Sequence, residues 1–384
     1  LVLIFRSYKG DFVSAAKREK KPIGLALIGC GSIGRIRAGF AADYPGVEWL
    51  GLCDIDEGAE KKLAEDTGAD FFTTDIDELL DRSEVNAAII ATDASTHVAP
   101  VRAAAERGLP MLVEKPLATG ARESAELLSL IERNGSDTVI GYTQRFRRRF
   151  LVAKEKVGAG ELGDVTTVVS LAFLNSLTPI GVFQAAEDPR QMTPMVISGT
   201  HTLDICMWLL AGKKPAEVYA RSVAKAFVPY GTKDATMGVF TFEDGTIWNM
   251  CINWALPSLW PPTVYSLEIG IVGTDGVLTI DDTHRDLVLA SDTPHTTQRP
   301  TERKSVSFLT SYPPGDIALG QLWGPMREET NSWLARIYMG IDTPHTTAAE
   351  GHENLLLTMA MDLSAANGDV VKLPITAEEI EGRG

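Results

Sequence analysis

Residues 23–34 read IGLALIGCGSIG. The first six make an apolar run of the length and composition of a strand buried on both faces of a parallel sheet. Gly29, Gly31 and Gly34 then fall in a G-x-G-x-x-G pattern, and the residues after them read as helix to about Ala42. Strand, glycine turn and helix in that order are the context that a dinucleotide-binding fingerprint demands. Glycines let the backbone turn tightly and approach a pyrophosphate, whose charge then meets free N–H groups at the start of the helix. Gly29, Gly31, Ser32, Ile33 and Gly34 are therefore the expected pyrophosphate contacts. The next apolar run, VEWLGLCD, ends at Asp54, twenty residues beyond Gly34. A carboxylate there accepts hydrogen bonds from ribose hydroxyls and repels a 2′-phosphate, which favours NAD over NADP. Lys61 and Lys62 are the cations that argue the other way, and a merely polar strand end is the plainer reading of Asp54.

The alternation continues along the chain. Residues 60–67 read as helix, FFTT (71–74) as a short strand, IDELLDR as helix, NAAIIAT (86–92) as strand and 96–107 as helix. MLVEK is strand, 120–134 helix and DTVIGYT strand. This is the pattern of an α/β, doubly wound parallel sheet, in which ligands bind at the carboxyl ends of the strands. Four clusters fall at such ends: Asp54, Thr92 to His97, Glu114-Lys115-Pro116, and Gly141 to Arg145. Thr92, Ser95, His97, Glu114, Lys115, Gln144 and Arg145 are accordingly expected around the cofactor, though a polar residue at a helix start equally accounts for His97.

The bulk numbers set the frame. A chain of 384 residues is too long for one ordinary core. We expect an extension over 1–20, a dinucleotide-binding unit over 21–143 and a second, α+β unit over 144–384. Charged residues make up 23% and hydrophobic residues 45%, a globular mixture. No apolar run reaches the roughly 20 residues of a membrane helix. At the N-terminus LVLIF precedes KREKK, the wrong order for a secretory signal. A net charge of −15 argues against nucleic-acid partners. Cys30, Cys53, Cys206 and Cys251 lack zinc-ligand or redox-pair spacing, so reduced thiols, no metal and a cytoplasmic setting are expected. The basic cluster RFRRRF (145–150) reads either as a solvated helix start or as an anion site.

In MLVEKPLATG (111–120) an apolar strand runs into Glu114, Lys115 and Pro116. The proline stops the strand, restricts Lys115 to an extended backbone and permits a cis bond. Glu114 could hold the ammonium or a ribose. An ion pair closing a turn and a lysine aimed at a reaction centre stand as equal readings of position alone. The set ALIGCGSIG, AAIIATDASTHV, MLVEKPLA and VIGYTQRF, together with GELGDV (160–165), FEDGTIWNMCINW (242–254), IVGTDGVLTID (271–281) and AAEGHENLLLTMAMDLSAANGDVVKLP (348–374), resembles the glucose-fructose oxidoreductase and inositol dehydrogenase family, Gfo/Idh/MocA. The resemblance covers roughly 21–374. It implies that Lys115 lies between nicotinamide and substrate and hydrogen-bonds the oxygen that becomes a carbonyl.

The second half holds strand-like runs, EVYARSVAKAFV, ATMGVFTFE, TIWNMCINW and VYSLEIGIVG, with Asp244-Gly245 as a hairpin signal. A large open, mostly antiparallel sheet with helices on one face is expected. The family resemblance implies that its other face pairs subunits into a homodimer or homotetramer. Residues 200–211 suit an amphipathic helix. The resemblance places a catalytic His at 201 and an Asp at 204, but its first Asp position is occupied by Ile197. His201 has a side chain suited to taking a hydroxyl proton near neutral pH, while a lone histidine on an apolar helix is also an ordinary packed residue. Lys115, Phe173, Asn175, His201 and Asp204 are the expected substrate contacts, with Phe183, Trp323 and Arg327 as weaker ones. Asp204 reads more readily as a helix or loop support than as a group orienting His201. His284, His295, His345 and His352 are scattered and read as surface or structural. The resemblance implies an NAD-dependent oxidoreductase acting on a sugar, polyol or related cyclic hydroxy compound. Retained-NAD elimination and a non-catalytic NAD- or sugar-binding regulator are the alternatives.

Overall fold

The computed structural model describes residues 20–177, 179–180, 192–257, 266–281, 287–296, 303–309 and 315–382. Phe183, His284 and nearly all of the N-terminal extension lie outside the described residues. In chain order the first part comprises β1 (Ile23–Ile28), α1 (Ser32–Ala42), β2 (Val47–Cys53), α2 (Glu57–Thr67), β3 (Phe71–Thr73), α3 (Ile76–Leu80), β4 (Ala87–Ile90), α4 (Val98–Glu106), β5 (Met111–Glu114), α5 (Ala121–Asn134) and β6 (Thr138–Gly141). The strands form a parallel sheet in the order β6-β5-β4-β1-β2-β3. All residues of β1, β4 and β6 are buried, as the apolar runs require of strands covered on both faces. The sheet reverses direction of growth between β1 and β4, which opens a crevice beyond their carboxyl ends. Helix α2 starts three residues earlier than expected, because the Asp56 side chain accepts from Gly58 N and Ala59 N.

After α6 (Arg148–Gly158) comes the second sheet, ordered β12-β11-β7-β10-β9-β8-β18. Its strands are β7 (Val165–Asn175), β8 (Pro215–Val223), β9 (Ala235–Phe242), β10 (Ile247–Leu256), β11 (Ser266–Gly273), β12 (Val277–Asp281) and β18 (Val371–Lys372). Only β7 and β10 pair in parallel; the other neighbours are antiparallel. Short hairpins β13 (Leu287–Thr296)–β14 (Arg303–Leu309) and β15 (Asp316–Ala318)–β16 (Gln321–Trp323) stand apart from both large sheets. Helices α7 (Thr200–Leu209) and α9 (Ala348–Asn367) contribute Leu203, Cys206, Leu209, Leu357 and Met361 to a core with Val218, Phe240, Trp248 and Ile269 on one face of this sheet.

The chain then returns. In α8 (Pro325–Met339), Trp333 and Leu334 pack into the core around β1 and α1. β17 (Thr346–Thr347) pairs antiparallel with β6 as a seventh strand of the first sheet. A division of the sequence at 143/144 is thus not a division of contacts. A short α10 (Ala377–Glu381) closes the described chain. No helix among the described residues is long and apolar enough to cross a membrane.

One buried cation ties the return to the crevice. Arg37 in α1 has no solvent exposure. Its Nε donates to Glu114 Oε1 at 2.7 Å, Nη2 to Glu329 Oε2 at 2.7 Å and Nη1 to Thr330 Oγ1 at 2.8 Å. Thr143 Oγ1 also donates to Glu329, at 2.9 Å. Glycine-loop helix, lysine-bearing strand end and α8 therefore share one guanidinium. Removing one member of a buried pair leaves the others uncompensated and costs about 3–5 kcal/mol. Arg37→Leu should lose stability on that order, read by chemical denaturation; a loss below about 1 kcal/mol would show that the network is not holding these elements together.

Candidate active site

The glycine loop fits a dinucleotide. Gly29 sits at φ +100°, and a Cβ there would come within 2.6 Å of backbone atoms of Ala91 and Thr92. A Cβ on Gly31 would meet nothing within 4 Å, so the loop faces open space. Helix α1 has no side chain capping its first N–H groups, which leaves Ser32 and Ile33 at an uncapped, positively polarised helix start that suits a pyrophosphate. Asp54 Oδ2 accepts from Cys30 N at 2.5 Å and Oδ1 from Asp56 N at 3.0 Å. Its half-exposed carboxylate still has lone pairs for ribose hydroxyls.

At the end of β4, Thr92 Oγ1 is 2.8 Å from His97 Nδ1. His97 is fully buried. Burial pushes its pKa down to about 4 against the pull of Glu114 and Asp93. Ser95 is exposed and bonded to Asp93.

Lys115 follows β5 through a cis Lys115–Pro116 bond. Its Nζ donates to the carbonyl of Ile197 at 3.3 Å. Glu114 is taken up by Arg37, so the strand-end ion pair joins residues 114 and 37, not 114 and 115. Burial lowers the Lys115 pKa, with Glu114 and Asp93 opposing.

Ile197 belongs to a single π-helical turn, Met195–Gly199, that leads into α7. Such turns occur mostly as local insertions at functional sites. Trp254 Nε1 donates to Ser198 Oγ at 2.9 Å and fixes the turn against β10. Helix α7 is not amphipathic in the ordinary sense: eight of its residues, among them Thr200, Thr202, Asp204 and Trp208, are buried around its circumference, because it lies between the first sheet's edge and the second sheet. His201 is partly exposed as a residue, but its ring Nδ1 is buried. Its ring meets the Tyr142 ring edge-on, centroids 5.9 Å apart, and Tyr142 Oη is 2.7 Å from Thr200 Oγ1. Burial and the Lys115 charge push the imidazole pKa down to about 3. His201 Nδ1, Gln144 Oε1 and His97 Nε2 are among the buried side-chain atoms that lack a hydrogen-bond partner within the described residues.

Asp204 and Arg145 do not line the site. Arg145 donates two hydrogen bonds to Asp204, at 2.9 and 2.7 Å, while Thr346 and Asn354 also donate to that carboxylate. Both residues are buried, and their pairing locks α7 to the 143–146 turn, to β17 and to α9. The basic cluster is therefore neither a wholly solvated helix start nor a simple anion site: Arg145 and Arg147 are buried, and Arg148 is exposed. Asn175 is also buried, with its amide bonded to Pro257 O and Leu177 N, so it supports the ends of β7 and β10. Phe173 is half-buried. Trp323 is exposed and carries the Arg327 guanidinium 4.6 Å over its ring, a pair of its own. His345 bonds Thr343 and the Glu329 carbonyl, and His352 bonds Ser124. No cluster among the described residues could hold a metal ion.

Sequence reasoning missed Arg37 and Glu329. Arg37 falls between Gly34, Ala38 and Ala41 on the buried face of α1, and an arginine at core spacing is the signal that could have found it.

Residues 23–142 match the GFO_IDH_MocA model, described as an oxidoreductase family with an NAD-binding Rossmann fold. Residues 150–279 match the GFO/IDH/MocA C-terminal domain. The chain is 26% identical over 257 residues to myo-inositol dehydrogenase Hyg17 of Streptomyces leeuwenhoekii, covering 66% of this chain and 75% of that protein. It is 25% identical over 259 residues to scyllo-inositol 2-dehydrogenase (NAD(+)) of Bacillus subtilis, covering 66% and 72%. The solved structure of scyllo-inositol dehydrogenase from Lactobacillus casei with NAD(H) and scyllo-inositol superposes with a TM-score of 0.72 over 92% of this chain and 99% of that one, at 17% identity. With both family domains matched in order and a glycine loop shaped for the dinucleotide, the chain belongs to the GFO/IDH/MocA family and is an NAD-dependent oxidoreductase.

Proposed function

We propose that the chain oxidises a secondary alcohol on a ring polyol or sugar, with Lys115 and His201 as its catalytic residues. The observation that carries this is their convergence. The Lys115 ammonium is held at the Ile197 carbonyl, four residues before His201, and its charge is felt by the imidazole. Bound NAD supplies the hydride acceptor, the C4 carbon of its nicotinamide. Lys115 donates a hydrogen bond to the substrate oxygen and stabilises the negative charge that grows on it. His201 takes the hydroxyl proton as the carbon-bound hydride leaves, and the C–O bond becomes a carbonyl. Inositols are the substrates named for the two curated relatives above, and they fit this reading as rings bearing secondary hydroxyls.

Ile197 replaces the carboxylate that the family resemblance would place beside the imidazole. The backbone of the same residue instead receives Lys115. The resting pair is then a charged lysine beside a neutral histidine. Lys115→Met should lower kcat by about 10²–10³-fold, the usual loss for one donor to a developing oxyanion, while NAD affinity stays within about threefold. Unchanged turnover would rule out the assignment. The pH dependence follows in sign. His201 must be neutral to accept the proton, so activity should fall on the acid side only toward about 3. Lys115 must be charged, and its lowered pKa should bring the alkaline loss below the ordinary lysine value. An acid limb in kcat/KM near 6.5 would contradict the buried, neutral imidazole.

The uncovered face of the second sheet supports self-association. By strand register Tyr219, Val239, Asn249 and Val169 lie in one row, Met237 and Cys251 in the next, and Ile247, Thr167 and Val272 in a third. Val169, Tyr219, Met237, Ile247 and Val272 are 40–50% exposed. This apolar strip, with Arg221 and Glu268 at the ends of the Met237–Cys251 row, marks an interaction surface, here for a second copy of the chain. Sedimentation at micromolar concentration should give a dimer or tetramer, and Val169→Glu with Met237→Glu should give monomer; a monomeric wild type would remove the proposal.

A further inference from the structure

Glu60 is a buried acid at the rim of the cofactor crevice. It is 3% exposed and sits one turn into α2. Its Oε2 accepts from Asp54 N at 3.3 Å, so it lies against the residue whose carboxylate faces the ribose. Its charged neighbours are other acids. Burial pushes its pKa up, the hydrogen bond from Asp54 N pulls it back, and Glu57, Asp54 and Asp56 add to the rise. A cavity of about 410 Å³ opens on the other side of Glu60, lined by Glu57, Gly58, Glu60, Lys61, Phe72 and Thr74. The cavity therefore borders the Asp54 end of the crevice, where the adenosine half of the dinucleotide belongs.

A ribose held by Asp54 puts any 2′ substituent beside this pair of carboxylates. We propose that Glu60 is a second specificity residue for the cofactor, which together with Asp54 excludes a 2′-phosphate and commits the chain to NAD. A 2′-phosphate carries a charge of about −1.5 to −2 at neutral pH, and a second, buried carboxylate bonded to the Asp54 backbone repels it through a medium poorer than water. Asp54 is pinned by Cys30 N and Asp56 N, and Glu60, only 3% exposed, sets a second charge beside it. Lys61, on the wall of the same cavity, is exposed, and a hydrated surface lysine offsets little of a buried charge. Arg35, the nearest cation of α1, is tied to the Cys30 carbonyl at 3.2 Å.

The competing role for Glu60 is mechanical: it caps the Asp54 N–H and props the strand end. Glu60→Gln separates the two, because the amide keeps the size and an oxygen acceptor and removes only the charge. NAD and NADP are each titrated into the purified protein and Kd is read by calorimetry, with no substrate needed. In Glu60→Gln the NADP Kd should fall about tenfold and the NAD Kd should stay within about twofold. An unchanged ratio of the two constants overturns the proposal, and so does a parallel weakening of both, which would make Glu60 a prop. Asp54→Ser gives an answer that does not depend on the Glu60 variant folding. It should still bind NAD more tightly than NADP. Equal binding of the two by Asp54→Ser would show that Asp54 is the whole barrier.

Discussion

The arrangement of the site depends on one guanidinium. Arg37 faces inward from α1, where the spacing of Gly34, Ala38 and Ala41 calls for a small apolar side chain. A charge there is tolerable only because Glu114, Glu329 and Thr330 meet three of its nitrogens. The partners come from two distant parts of the chain, Glu114 at the end of β5 and Glu329 and Thr330 in α8, and Glu329 is 292 residues away. The consequence is geometric. The helix that receives the pyrophosphate and the strand end that delivers Lys115 cannot shift independently, and α8 is held against both. Hydride transfer tolerates little misplacement between donor and acceptor, and a rigid ionic joint behind the reaction centre limits it.

A second buried pair does the same for the other proposed catalytic side chain, His201. Arg145 and Asp204 join the 143–146 turn to α7, and Thr346 and Asn354 extend the joint to β17 and α9. His201, one turn before Asp204, is thereby carried to the edge of the first sheet although it belongs to the second. The π-helical turn at Met195–Gly199 brings the Ile197 carbonyl to Lys115. Lys115 and His201 thus meet through backbone geometry on one side and buried ion pairs on the other. The imidazole is left neutral by burial and by the lysine charge.

The first sheet was legible because each parallel strand is a short apolar run ended by a turn, and both signals are local. The glycine turn between β1 and α1, and the place of Asp54 at the end of β2, were legible for the same reason. Lys115 was legible as an oddity, a lysine closing a buried strand. What the sequence hid was pairing over long distances. Glu114 beside Lys115 suggested a local ion pair, whereas Glu114 reaches Arg37. Arg145 and Asp204 read as site residues because they flank site residues, yet each consumes the other's charge inside the protein. Asn175 also sits in a site-like position but is buried, its amide spent on Pro257 and Leu177. Local pattern locates strand ends and turns; it does not show which polar group a buried side chain will find.

The most direct test is the appearance of NADH when the purified protein is given NAD and a panel of inositols, hexoses, pentoses, sugar acids and anhydrosugars. The expected result is steady absorbance at the reduced-nicotinamide band with at least one group of ring alcohols, at neutral pH and without added metal. Silence across the panel from protein that binds NAD would contradict a Lys115–His201 alcohol dehydrogenase.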